Sequence, residues 1–349
     1  MLSIDPQECC ILSSTSDFFS ATQRFARSDS RRAWVELAVT FGLYVSSVFV
    51  GLATLGIWWI TFPTVLLASA MGLRIYMIQH DCLHRSFFAS RETNDLIGTL
   101  LSPIAMTPYK ATRYIHGLHH TYVSDLERRD SFEIFTMTLA EWQSAPGWKR
   151  LYYRIYRSPV VLILIGPFVL FGVLRRLPLY GFKTGVGDLV FHNVLLAAYL
   201  GTIWWTTGWA GLGFWVTSVY FACAFGGLIP YIVHNFENVR WGRRPELTFA
   251  SAALDGSAVL DWGRLFDLVT LNIGYHDLHH FNAKIPGYSL RNAHAALESE
   301  GLIQSEKIGF LEGLRCLRWK LFDEEIGRMI PFPSRAMLRE RQRTSATAG

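Results

Sequence analysis

Eight of the eleven histidines in this 349-residue chain fall in three five-residue windows: His80/His84, His116/His119/His120 and His276/His279/His280. On a helix, residues three and four apart share a face with Cβ atoms about 5–6 Å apart, so the spacings H-x-x-x-H and H-x-x-H-H are each expected to aim imidazoles at one point. Imidazoles that converge bind metal. A tetrahedral zinc site uses four ligands, so eight exceed one ion and predict a two-metal centre. The bland alternative is a hydrogen-bonded histidine ladder with no ion, and the crowding of eight residues into three short windows argues against it. His192 and His294 stand alone and are read as satisfied core or surface residues.

His234 is the isolated histidine that joins the site. It ends a long apolar run in Ile232-Val233-His234-Asn235-Phe236-Glu237, the position His80 holds at the end of an earlier run. Asp81, Asp277, Asn235 and Asn272 stand beside ligands and are the residues expected to take up the remaining ring N–H groups and fix the tautomers. Cys82 lies between two ligands, but a position two residues from His80 points about 200° away on a helix, which excludes a thiolate ligand. The five cysteines, Cys9, Cys10, Cys82, Cys223 and Cys316, form no C-x-x-C pair, as expected in a reduced compartment. The sequence holds no H-E-x-x-H, G-x-S-x-G or G-x-x-x-x-G-K motif, and Gly211 and Gly213 do not extend to a dinucleotide fingerprint. A redox reaction here must therefore import its electrons.

The elements that position these residues are expected to be membrane helices. Half of the chain is hydrophobic, only 17% is charged and the mean hydropathy is +0.21, against about 25% charged residues in soluble domains. No charge occurs between Glu36 and Arg74, nor between Asp188 and Glu237. A span needs about 20 apolar residues, so each run predicts a two-helix hairpin, with turns at Leu55–Trp59 and Thr207–Gly211. The expected spans are 35–54, 59–79, 188–207 and 211–233. Neither turn carries Lys or Arg, whereas Arg24, Arg27, Arg31, Arg32, Arg85, Arg91, Arg175, Arg176, Lys183, Arg240, Arg243 and Arg244 flank the opposite ends. The positive-inside rule then puts both termini and all three windows on the cytoplasmic side. The net charge of +5 is explained by anionic headgroups without nucleic acid.

Two further apolar runs, Leu96–Met106 and Pro159–Leu174, contain Pro103 and Pro167 and are read as interfacial or re-entrant segments, since a crossing by either would separate the windows. The expected fold is an all-α integral membrane protein of four transmembrane helices in two hairpins, plus a cytoplasmic helical cap that carries the metal site. Its parts are a cytoplasmic segment over 1–32, a membrane domain over 33–334 and a disordered tail over 335–349. Residues 1–30 are Ser-rich and have no positive stretch leading an apolar core, so no cleavable signal is expected. Phe18, Ala21, Thr22 and Phe25 share one helical face, suited to the membrane surface or to packing on the cap. The location expected is the inner or plasma membrane, multi-pass.

The boxes His80-Asp81-Cys82-Leu83-His84, His116-Gly117-Leu118-His119-His120 and His276-Asp277-Leu278-His279-His280 resemble those of the membrane-bound fatty acid desaturases in order and spacing. The stretches Asn272–Leu290 and His234–Trp241 look most like the acyl-lipid Δ12 (omega-6) branch, and the resemblance runs from about residue 35 to 300. One departure is Thr112-Arg113, where that branch often has Trp-Arg. The resemblance implies a di-iron centre (Fe2+/Fe3+) held by the nine histidines, with O2 as co-substrate. It implies removal of hydrogen from two adjacent methylene carbons of an acyl lipid, or of another acyl carrier, to leave a cis double bond. Electrons would come from a ferredoxin or a cytochrome b5-type donor, for which Arg128, Arg129, Lys149 and Arg150 offer basic contacts. Two alternatives stand beside this: a hydroxylase or ketolase of another hydrophobic substrate, such as a carotenoid or sphingolipid, and a metal-binding or transport membrane protein. Transport would place ligands near the bilayer midplane rather than at helix ends on one side.

Overall fold

The computed structural model describes residues 16–129 and 134–334. Cys9, Cys10 and the tail expected to be disordered over 335–349 lie outside them. The described chain is mostly helical. After helical residues 16–23 (α1) come α2 (Ser30–Ala53), α3 (Trp58–His84), α4 (Arg91–Ala105) and α5 (Tyr109–Tyr122). A middle region follows, with α6 (Leu139–Ser144), α7 (Gly147–Tyr156), a π-helical turn at Val160–Ile165, α8 (Gly166–Gly172) and α9 (Gly181–Thr184). The long α10 (Val186–Val233) leads to α11 (Phe249–Leu254), α12 (Arg264–Val269), α13 (His276–Phe281), α14 (Gly287–Ser299) and α15 (Phe310–Cys316).

Three helices, α2, α3 and α10, are long and apolar enough to cross a membrane. Asp29 caps α2 by accepting from the amides of Arg31 and Arg32 at 2.9 and 3.1 Å. The α2–α3 turn runs through Gly56 at φ +91°, a conformation a side chain would strain. Glu36 and Arg74, the two charges that bracket the first uncharged run, meet at 2.5 Å, and Arg74 also donates to Thr40 Oγ1. The pair closes the open end of the hairpin and leaves neither charge alone beside lipid. Helix α10, at 48 residues, would be about 72 Å long if straight, more than twice a hydrocarbon core of about 30 Å. It breaks at Gly208 (φ 64°, ψ −152°), inside the expected turn, and Leu196, Ile203 and Trp215 from its two arms join one apolar cluster.

Helix α3 runs beyond the expected end at 79 to His84, because nothing breaks it before Arg85 adopts the left-handed conformation (φ 54°). The run Leu96–Met106 forms most of α4, 15 residues with Leu96 and Leu100 exposed and Gly98 tight against Tyr109. Pro159–Leu174 forms the π-helical turn and α8, bent by 55° from α7, either a broken span or a re-entrant loop by its length and composition. Helix α1 packs on α13 and α14: Phe18 is buried with Leu278, Phe281 and Leu290, and Asn282 donates to Thr22 Oγ1 at 2.9 Å.

The fold is not purely helical. Two small sheets of two- and three-residue strands tie the cap together: β1 (Met137–Thr138) runs parallel to β4 (Leu321–Asp323), which pairs antiparallel with β5 (Arg328–Ile330), and β2 (Val259–Asp261) runs parallel to β3 (Lys307–Gly309). Such short pairings carry no alternation that a sequence pattern could reveal.

Candidate metal centre

Four helix ends bring the nine histidines together. His80 and His84 occupy the last turns of α3, and His116, His119 and His120 the second half of α5. His234 caps the end of α10, and His276, His279 and His280 form the short α13. Helix α13 is set by the turn before it, where Leu271 and Asn272 both take positive φ. Gly287 closes this corner from the other side: a Cβ there would lie 2.6 Å from the Leu271 carbonyl oxygen and 3.0 Å from Asp81 Oδ2, and its amide donates to that carboxylate at 2.6 Å.

The imidazoles sort into two groups in which all ligand nitrogens lie within 4.8 Å of one another. One holds His80, His84, His116, His120 and His279; the other holds His119, His234, His276 and His280. Boxes two and three therefore each feed two points, where the spacing was expected to aim at one. The reason is angular: residues at i and i+4 stay within about 40° of each other, whereas i+3 falls on the far side of i. His116 and His120 serve one group and His119 the other, while box three reverses the assignment. His234 completes the smaller group. No cysteine or carboxylate belongs to either group among the described residues.

The contacts within the groups have the spacing of ligands around a cation. Nε2 atoms approach at 2.8 Å for His84–His116, 3.0 Å for His116–His120, 3.1 Å for His234–His276 and for His276–His280, and 3.2 Å for His120–His279 and for His119–His280. Nitrogens bound about 2.1 Å from one ion at right angles to each other lie about 3.0 Å apart. A proton ladder fails at one pair in particular. His234 Nδ1 donates to the Gly256 carbonyl at 2.9 Å and His276 Nδ1 to that of Ile273 at 3.3 Å, which uses the single proton of each neutral ring. Their Nε2 atoms then face each other as two lone pairs at 3.1 Å. Burial, followed by repulsion from neighbouring imidazoles, holds His116, His120, His276, His279 and His280 well below the usual histidine range, and His234 at about 3. The rings are thus neutral, the form that ligates. An all-nitrogen donor set suits iron, zinc, copper or nickel.

Of the residues expected to hold the outer ring nitrogens, Asp81 comes nearest, with Oδ1 3.7 Å from His80 Nδ1. The others are engaged elsewhere. Asp277 accepts from Leu278 N and from Ser305 Oγ, and Asn272 donates to the Gly287 carbonyl. Asn235 donates to the carbonyls of Cys316 and Trp319 and accepts from Arg157. Backbone carbonyls of Gly256 and Ile273 do the work instead, and no residue type signals a carbonyl in advance. Arg157, fully buried and held by Asn235, Thr136 and the carbonyls of Phe135 and Trp319, was also invisible to the sequence. His192 and His294 are satisfied core residues: His192 bonds Ser102 and Arg176, and His294 bonds Ser305. Of the basic residues offered to a donor, Arg129 is buried and paired with Glu141.

Apolar helices long enough to span a bilayer, with a two-part imidazole cluster able to hold metal at their ends, are the marks of an integral membrane protein with a candidate metal centre. A family model described as fatty acid desaturase matches residues 56–304. The chain belongs to the fatty acid desaturase family and is an oxidoreductase of that kind. It is 26% identical over 311 residues to a Bacillus subtilis (strain 168) protein named fatty acid desaturase, covering 88% of each chain. It is 24% identical to the sn-1 oleoyl-lipid 12-desaturase of Synechocystis, covering 85% of this chain and 82% of that one, so the likeness to the Δ12/omega-6 branch holds. The sn-1 acyl-lipid omega-3 desaturase (ferredoxin) of Synechocystis is 25% identical over 248 residues, covering 69% and 68%.

Proposed function

We propose that the chain is an O2-dependent di-iron desaturase that introduces a cis double bond into the acyl chain of a lipid. The observation that carries this is the division of nine imidazoles into groups of five and four whose Nε2 atoms approach one another as they would around a cation. Two irons bound there would supply O2 activation and the oxidising power to take hydrogen from neighbouring methylene carbons, and the nitrogen-only set adds no anionic charge that would temper it. Each double bond formed consumes one O2, two electrons and two protons and releases two waters. The chain's own part is to orient His234 and His276 through the Gly256 and Ile273 carbonyls and to bury the site under α1, α13 and α14.

The nine histidines are the proposed ligands, with Asp81 behind His80. Four spans with cytoplasmic termini, in a membrane domain over 33–334, fit the break at Gly208 and the basic residues at the end opposite the hairpin turns. Trp58, Trp59, Trp204 and Trp205 stand exposed near those turns, as belt residues do. The ferredoxin in one relative's name supports an iron–sulfur donor, with a cytochrome b5-type donor as the alternative. The relatives' names favour desaturation over hydroxylation or ketolation on the same scaffold. Expression in a host with simple lipids, with iron and a working donor, followed by gas chromatography of total fatty acids, tests the proposal. A new unsaturated acyl chain is expected; its absence, or a hydroxylated product alone, overturns it.

A further inference from the structure

Helix α5 carries chemistry on both faces. His116, His119 and His120 turn inward, and the opposite stripe, Lys110, Arg113, Tyr114, Leu118 and Thr121 at i, i+3, i+4, i+8 and i+11, lines an open concavity of about 540 Å³ with Thr184 of α9. Gly117 is part of its lining, and a Cβ there would meet no atom within 4 Å. Two cations border this space, and Lys183 stands with its Nζ 5.9 Å from the Tyr114 ring. No carboxylate lines it. The nearby acids are engaged: Asp188 accepts from the Lys110 amide at 2.9 Å, and Asp95 is bound by Arg85 at 2.5 Å and lies 3.5 Å from Arg113. A smaller concavity of about 150 Å³ beside Trp319 mixes Glu237, Glu306 and Glu312 with Arg315 and Arg318, and has no such bias.

Position adds to charge. Thr184 lies two residues before Val186, where the apolar α10 begins, so the concavity sits at the level where polar chain gives way to apolar helix. It also lies about one helix diameter, roughly 10 Å, from the imidazole groups across α5. Ammonium, guanidinium and hydroxyl donors around an open hollow with no carboxylate in its lining are the donor set of a phosphate ester, even with Arg113 also paired to Asp95. We infer that this concavity binds the phosphate ester at the polar end of the acyl substrate. The inference rests on the desaturase proposal above and names the part of the substrate this chain grips outside the metal site. A glycerophospholipid and a phosphate-bearing thioester carrier such as acyl-CoA share this chemistry.

Binding rather than turnover tests it. The metal-loaded full-length chain in neutral detergent is titrated calorimetrically with short-chain phosphatidylglycerol, with an uncharged glycosyl diacylglycerol of the same chains, and with an acyl-CoA. The phosphate-bearing ligand is expected to bind at least about tenfold tighter than the uncharged one, and the tighter of the two phosphate esters identifies the source. The Lys110→Gln/Arg113→Gln variant should erase that preference. Gly117→Leu, which fills the hollow and keeps both cations, should weaken both phosphate ligands while metal content stays at the wild-type value. Equal affinity for charged and uncharged lipid, or a preference that survives both variants, overturns the inference. New unsaturated acyl chains appearing in cells without any phosphate preference would leave the desaturase proposal standing and remove this one.

Discussion

The two imidazole groups share helices, yet they differ in their surroundings. In the group of five, His84, His116 and His120 are half-buried; in the group of four, His234, His276 and His280 are buried and only His119 is half-exposed. The first is built from α3 and α5 with one ring from α13, and Lys284 donates to the His84 carbonyl at its rim. The second is built around α13 and closed by His234, which is fixed by a backbone carbonyl from the segment after α11. The first group is the more open of the two and the second the more enclosed. Equal donor chemistry therefore sits in unequal access, and ligand exchange should be faster at the open group.

The largest effect should come from removing one ring from each group. His279→Ala and His119→Ala are both expected to abolish product formation while the protein still inserts; full activity in both would sink the two-group assignment. Metal analysis sharpens this, with His280→Ala expected to fall from about two bound metals per chain to about one. The next test is kinetic. A hydrophilic iron chelator added to the loaded protein should strip the metals in two phases, and His84→Ala should speed only the fast one. A single phase would erase the distinction between open and sealed.

A smaller effect is expected at Asn235. Asn235→Ala leaves the buried Arg157 cation without one of its acceptors and should lower stability by roughly 2–4 kcal/mol, read as a drop in Tm of several degrees. Weaker metal retention should accompany it at the sealed group alone, through His234. The smallest effect is expected at Gly287→Ala, whose Cβ crowds the Leu271 carbonyl and Asp81; about 1–3 kcal/mol of strain should appear as reduced thermal stability, with any metal loss confined to the open group through His80.

Much of this was legible in the residues because it rests on local rules. Uncharged runs marked the long apolar helices, Gly208 breaks the second run inside its expected turn, and histidine spacing picked out the rings that gather in the two groups, with His234 among them. What could not be read depends on contacts between distant segments. The division of boxes two and three requires knowing that α5 and α13 face each other, and the tautomers depend on carbonyls that every residue possesses. Asp277 and Asn272 stand beside ligands in sequence, yet the turn before α13 and the contact with Ser305 draw them away. The Glu36–Arg74 pair was visible only as two ends of an uncharged run.

The interleaving of the boxes also fixes an order of manufacture. Contacts such as His119–His280 join positions 161 residues apart, and both groups need a ring from α13. The ribosome has made α2, α3 and all of α10 before α13 emerges, so neither imidazole group can be complete until α13 has been made. If the two groups hold iron as proposed, metal delivery is a maturation step on a nearly finished chain, and a cell starved of iron would accumulate empty protein ready to be charged when iron returns.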